Sequence, residues 1–419
     1  MLSKIVLYAM LPVVCFGALS VHQGSFAMNT GTGTQTITGV GFLPKVVLFT
    51  WTEATADTAI GGYGFGFGVG ISPSMMASIV VRNVDGTLNA DSKLNNVRCI
   101  MVINGSGITT EAAEFTSLTA DGFTINVTTP GIGAVIQYVA LGGSTLSNVT
   151  LVPFSAPTAV SSVAVTGAGF MPDSAIIFTS GQTSAVGTSD TYAHHGIGFA
   201  GTGGTQAGFG NSMLSSSNAD TSAQSASKVI YLPDTSTMWL EGTLTSFDAS
   251  GATISYSVVQ PNSVKLWAVF FKGLGTRIGS LTQPTSTGTQ SVTGTTFTPI
   301  FTFFGGFCHT AGSGQLADGF FNFGMARSAA IEGTIFAGAR SGNNQAQYAL
   351  NRTASILCYT PTLSGTPTLN SKAEFTSHNA DGFTVNWQNV DATQRQVLYM
   401  SIGEPAIVAG AARRHILIQ

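Results

Sequence analysis

The residues that could do chemistry are few. Six histidines stand at His22, His194, His195, His309, His378 and His415. None forms HExxH or a metal-ligand spacing with acids or cysteines. On a strand the adjacent His194 and His195 point to opposite faces, so they cannot readily chelate one ion together. No Gly-x-Ser-x-Gly elbow precedes a helix, and no pair of carboxylates recurs throughout the chain. Glu114, Asp121, Glu374 and Asp381 admit calcium ligation as a minor alternative to hydrogen bonding at turns and strand edges. Cys15, Cys99, Cys308 and Cys358 have no close pairing that would make a regular disulfide framework. Cys99 and Cys358 lie in strand-like settings and read as buried free thiols. The residues therefore predict a protein that is not an enzyme and needs no cofactor and no metal.

The most unusual segment is Gly61-Gly-Tyr-Gly-Phe-Gly-Phe-Gly-Val-Gly70, with counterparts at His195-Gly-Ile-Gly-Phe-Ala200 and Gly319-Phe-Phe-Asn-Phe-Gly-Met-Ala326. A phosphate cradle would need a strand before the glycines and a helix after them, and neither is apparent. Two readings remain. One is a central strand with aromatics on one face and glycines on the other that admit a close backbone. The other is an aromatic ligand platform of Tyr63, Phe65 and Phe67, suited to stacking on sugar rings.

The elements that must position these residues are marked by repetition. Ala113-Glu-Phe-Thr-Ser-Leu-Thr-Ala-Asp-Gly-Phe-Thr-Ile-Asn126 recurs as Ala373-Glu-Phe-Thr-Ser-His-Asn-Ala-Asp-Gly-Phe-Thr-Val-Asn386, with a degraded middle copy at Leu244 to Ser255. A second marker, Thr-Gly-x-x-Phe-x-Pro, occurs at Thr38 to Pro44, Thr166 to Pro172 and Thr293 to Pro299. The two markers share a period far above the roughly 20 to 50 residues of solenoid repeats. They predict three tandem homologous β-sandwich domains, of jelly-roll or immunoglobulin-like order, over 21–147, 148–276 and 277–419.

Local signals are those of strands. Short β-branched or aromatic runs such as Lys45-Val-Val-Leu-Phe49 alternate with Gly, Asn, Asp or Pro turns, and no helical apolar period is sustained after residue 20. Roughly seven to nine strands per repeat are expected. Asp85-Gly86, Asp121-Gly122 and Asp381-Gly382 read as type I′ hairpin turns. Phe42, Phe170 and Phe297 are expected to be buried at equivalent places, with Pro44, Pro172 and Pro299 ending a turn. The middle repeat, which has lost Asp-Gly-Phe, is expected to play a different part from the outer two. Links near Ser144 to Pro153 and Leu274 to Thr285 allow the three repeats to gather about a pseudo-threefold axis, and self-association is expected.

Composition narrows the setting. Charged residues are 8% of the chain, against about 25% in an average soluble domain. A hydrophobic fraction of 44% supplies cores, and a net charge of −3 gives no basic footprint for nucleic acid. Lys4 followed by the apolar run Ile5 to Leu19, with Ala18-Leu-Ser20 behind it, reads as a secretory signal over 1–20. An uncleaved anchor and an apolar arm buried in an assembly are the alternatives, and no membrane is expected in the mature form.

The combination Thr34-Gln-Thr-Ile-Thr-Gly-Val-Gly-Phe-Leu-Pro-Lys-Val-Val47, then Phe-Thr-Ser-x-x-x-Asp-Gly-Phe-Thr-x-Asn, then Tyr138-Val-Ala-Leu-Gly-Gly143 resembles repeat domains of tailed-phage virion proteins of the minor structural, tail-fibre and head-decorating kinds. More weakly, Asp381-Gly-Phe-Thr-Val-Asn-Trp387 with its closing strand is similar to H-type lectin sandwiches. The resemblance implies a virion-surface protein that contacts other virion proteins and cell-surface glycans. The alternative is a secreted bacterial adhesin or lectin.

Overall fold

In the computed structural model, the described residues are 18–405, apart from 85, 87–88, 215–218, 307–308, 311–312 and 361–368. Cys15, Asp85, Cys308, His415 and most of the signal-like segment lie outside them. The described chain is all β except for one short 3-10 turn at Thr202–Gly204.

Six antiparallel sheets form three pairs, each with a seven-stranded inner sheet and a four-stranded outer sheet. The three pairs share one strand order, and their opening strands are Leu19–Ala27, Asn148–Ser155 and Gly275–Thr282. Each pair draws ten strands from its own stretch of chain, more than the seven to nine expected. Four successive strands of the first inner sheet, from Pro44–Trp51 to Ala90–Asn95, make a meander. Three of its outer sheet, from Ile100–Ile103 to Gly122–Thr129, make another. The closing strand Val135–Gly143 then inserts between Leu19–Ala27 and Pro44–Trp51, so the path of the β-sandwich is more than two meanders laid together.

The seventh inner strand always comes from a neighbour. Ser189–Asp190 of the second unit pairs with Ala90–Asn95 of the first. Ser313–Leu316 of the third pairs with Asp220–Ser225 of the second. Ala59–Gly61 of the first pairs with Asn343–Arg352 of the third. The exchange closes a ring, and it covers one edge of every inner sheet, which would otherwise present unpaired amides and carbonyls. Side chains reinforce each seam. Gln182 accepts from the Leu94 amide at 2.9 Å, Ser222 donates to the Asp318 carbonyl at 2.7 Å, and Asp57 accepts from Thr353 Oγ1 at 2.8 Å. The Leu19 amide donates to Glu404 at 3.1 Å and joins the two ends of the described chain.

The links themselves are shorter than expected and do not make the crossings. Only residues 144–147 and 273–274 lie between units, because Asn148 and Gly275 already belong to strands. The loops that follow the Pro44–Trp51 strand and its equivalents cross instead. The first strand also starts at Leu19, two residues before the expected boundary, with Leu19 paired to Gly143.

Each inner sheet is apolar on both faces. Val47, Phe49 and Trp51 pack towards the outer sheet of their own unit, while the alternate residues Val46 and Leu48 join a core shared with residues of all three inner sheets.

The two sequence markers prove to be one structure. Asp121, at the tip of its hairpin, accepts from the Gly41 amide at 2.6 Å and the Gly39 amide at 3.0 Å, and these bonds hold its carboxyl below the usual carboxylate range. Asp381 accepts from Thr296 at 2.6 Å and Gly294 at 3.1 Å. In the second unit Ser250 does the same for Gly169 at 3.1 Å. The hairpins are not type I′. Thr119 pairs with Gly122 and Asn379 with Gly382, so Ala-Asp forms each tip and only the glycine, at φ 152°, is positive. Of the three phenylalanines expected to be buried, Phe297 is, but Phe42 and Phe170 are half-buried at the margin of their cores; Pro44, Pro172 and Pro299, beside them, are buried.

Two outcomes follow from this frame. Thr296 has φ 65° where the other units place Gly41 and Gly169, so Thr296→Gly should stabilise the chain by about 1 kcal/mol in denaturant melts by removing left-handed strain. Small-angle scattering should give a radius of gyration of about 22 Å for one closed body of this length, where units strung out in a line would give a much larger value.

Candidate functional site

Tyr63, Phe65 and Phe67 are not an exposed platform. They are at most 1% exposed and project into the shared core. The glycines between them face the other way. A Cβ on Gly68 would lie 1.9 Å from the Cys99 carbonyl oxygen, and Gly198 and Gly324 stand equally close to Val229 and Ile356. Side chains are excluded there because the outer sheet's backbone already occupies the space. Of the two readings of this strand, the packing one holds.

The shared contact fixes which residues correspond. Three residues before these glycines stand Phe65, His195 and Phe321, which meet at the centre of the ring. Phe65 and Phe321 lie 4.4 Å apart, His195 and Phe321 4.6 Å, and Phe65 and His195 5.3 Å between ring centroids. His195 takes a polar partner that phenylalanine would not need: Tyr63 Oη is 2.8 Å from its Nε2, and Asn211 donates to that hydroxyl at 3.1 Å. Burial above all, with His194 adding to it, pushes His195 down to about 3, so it stays neutral at ordinary pH.

One residue earlier, on the opposite face, stand Gly64, His194 and Phe320, and here the units differ. Beside Gly64, Arg82 ion-pairs with Glu53 at 3.0 Å. Near Phe320, in a cleft of about 420 Å³, the Arg395 guanidinium lies 3.7 Å over the Tyr359 ring. In the second unit His194 stacks on Trp239, with centroids 4.1 Å apart and planes at 14°. Its Nε2 is 3.1 Å from Ser212 Oγ, and burial pushes its pKa down to about 4. Gly181, at φ 69°, leaves room for the stack, since a Cβ there would come within 2.4 Å of His194 Cβ.

That stack is one wall of a cleft of about 470 Å³, whose lining includes Tyr192, Asp190, Asp234, Gln260 and Asn262. Tyr192 is 53% exposed and is the one aromatic among the large exposed apolar side chains of the described residues. The strand exchange positions it. Ser189–Asp190 is paired into the first unit, and Ser92 of that unit donates to the Tyr192 carbonyl at 2.9 Å. Gln260 fixes the Trp239 carbonyl at 2.6 Å. Asp190 accepts from Ser184 Oγ at 3.0 Å, and Asp234 from the Thr235 amide at 2.7 Å. No spacing in the sequence announces this site, because its walls come from three separate loops.

The remaining candidates have local partners. Glu114 pairs with Arg98, and Glu374 with Lys372 at 2.5 Å, while Asp121 and Asp381 hold their loops. Cys99 and Cys358 are buried and free, and burial raises both thiols, Cys358 to about 12.

No protein-family model matches the chain, and no curated protein matches it.

The neutral, buried His195 makes a pH-dependent outcome. An unfolded histidine takes up a proton below about 6.5, whereas native His195 resists protonation down to about 3. Its contribution to stability is therefore lost as pH falls through that window. The melting temperature of His195→Phe should rise relative to the parent chain as pH is lowered from 7 to 4.5. A difference independent of pH would place the titration elsewhere.

Proposed function

We propose that the chain is a non-enzymatic surface or fibre protein of a tailed-phage virion, whose closed body serves assembly and whose exposed clefts serve attachment to host-surface glycans. The observation that carries this reading is the three-way strand exchange. Opening any one unit breaks main-chain pairing with both neighbours, which raises the barrier to unfolding and proteolysis for a protein working outside a cell. The place on a virion rests on the resemblance of the repeat motifs. A carboxylate has about four acceptor sites, and the bonds that Asp190 and Asp234 accept from their own loops fix their place in the second-unit cleft without using all of them, which supports a binding role. A secreted adhesin or lectin is the second reading, favoured by Lys4 and the apolar run Ile5 to Leu19.

Immunogold electron microscopy decides between them, using an antibody against the folded chain on phage particles purified from the source. Label on heads or tails is expected. Label confined to cell surfaces or particle-free medium would replace the virion reading with the adhesin.

A further inference from the structure

We propose that the second-unit cleft is a binding site for a neutral saccharide of about two pyranose rings, with Tyr192 as the stacking platform. The proposal deepens the attachment role above and rests on it.

A pyranose offers an apolar C–H face and a rim of hydroxyls, and the cleft offers the complement of both. Tyr192 presents an exposed ring, and Trp239 supplies a second aromatic wall. Asp190, Asp234, Gln260 and Asn262 bring carboxylate and amide groups to the rim, which can accept from and donate to vicinal hydroxyls. The volume, about 470 Å³, lies within the 300 to 1,000 Å³ typical of small-ligand sites. Neither lysine nor arginine lines the cleft among the described residues, while two aspartates do. That balance disfavours phosphates, sialic acids and uronates.

The same acidic, aromatic lining raises the question of a quaternary ammonium. Such a ligand is held by ring faces turned towards it on several sides. Here His194 lies flat against the indole at 4.1 Å and covers one of its faces. The arrangement is a platform beside a wall, which fits a flat sugar edge better than a spherical cation.

The loops that form the site are tied to the frame by bonds within the chain. Tyr192 follows a strand paired into the first unit, Gln260 holds the Trp239 carbonyl, and Asp234 accepts from Thr235 within its own turn. Backbone already held in this way lowers the ordering that a ligand would have to impose.

Isothermal titration calorimetry of the full chain tests the assignment, using lactose, maltose, cellobiose and N,N′-diacetylchitobiose, with sialyllactose and choline chloride as competitors in class. At least one neutral disaccharide should bind with Kd below about 10 mM. Tyr192→Ala should weaken that binding at least about tenfold, and Tyr192→Phe should weaken it less because the ring remains. Thermal melts should be unchanged in both variants, since the side chain is exposed. Absence of binding by every neutral sugar, tighter binding of choline or sialyllactose, or full binding by a folded Tyr192→Ala protein would each overturn the proposal. Calorimetry reads the isolated chain and the immunogold experiment reads particles, so failure of the cleft and failure of the virion assignment are told apart.

Discussion

Burial on both faces of the inner sheets is the constraint on which the rest of the structure depends. Along Tyr63–Ser72 the first eight residues are all buried, with aromatics towards the shared core and glycines towards the outer sheet. Such a sheet cannot stand in water with only its outer partner. Phe65 and Phe67 of the first unit, Phe199 and Phe209 of the second and Phe321 and Phe323 of the third would all be uncovered if the three units came apart. At about 2 kcal/mol for each buried ring, these rings alone would cost about 4 kcal/mol in each unit, a large share of the 5 to 15 kcal/mol by which a domain is stable. The three sheets therefore need one another, and the exchanged edge strands complete in hydrogen bonds what the core begins in apolar area.

The all-β class was legible because strand periodicity is local. The alternation of glycine and aromatic residues told correctly that one face of this strand would admit a close backbone, as Gly68 against the Cys99 carbonyl shows. It could not tell what the aromatic face would meet, since a platform and a core require the same residues. The two repeat markers were visible as separate motifs, while their union through Asp121 and the Gly39 and Gly41 amides depends on a contact some 80 residues apart in the chain. The exchanged strands are two to four residues long, too short for any period to reveal. Tyr192, Trp239 and Gln260 share no spacing, and only the folded loops bring them together.

The units also show how a common frame permits local divergence. Gly64, His194 and Phe320 stand at one position, each four residues before the glycine that touches the outer sheet. An ion pair lies beside the first, an imidazole stacked on indole forms the second, and a guanidinium over a nearby phenol accompanies the third. None of these choices displaces the packing of the neighbouring axial residues Phe65, His195 and Phe321, because successive strand residues face opposite layers. A buried position on the opposite face can change its chemistry while the adjacent one keeps its place at the centre.

The ring has a direction in time as well as in space. Ala59–Gly61 leaves the ribosome well before its partner Tyr348 to Leu350, which follows almost 290 residues later. A nascent first unit must hold its crossing loop without a mate until the third unit has been made. Contacts so distant in sequence fold slowly, and an unpaired edge left waiting is prone to pair with the wrong chain. Completion of the third unit is thus the committing event of biogenesis, and truncated products would carry the open edge that the finished protein lacks.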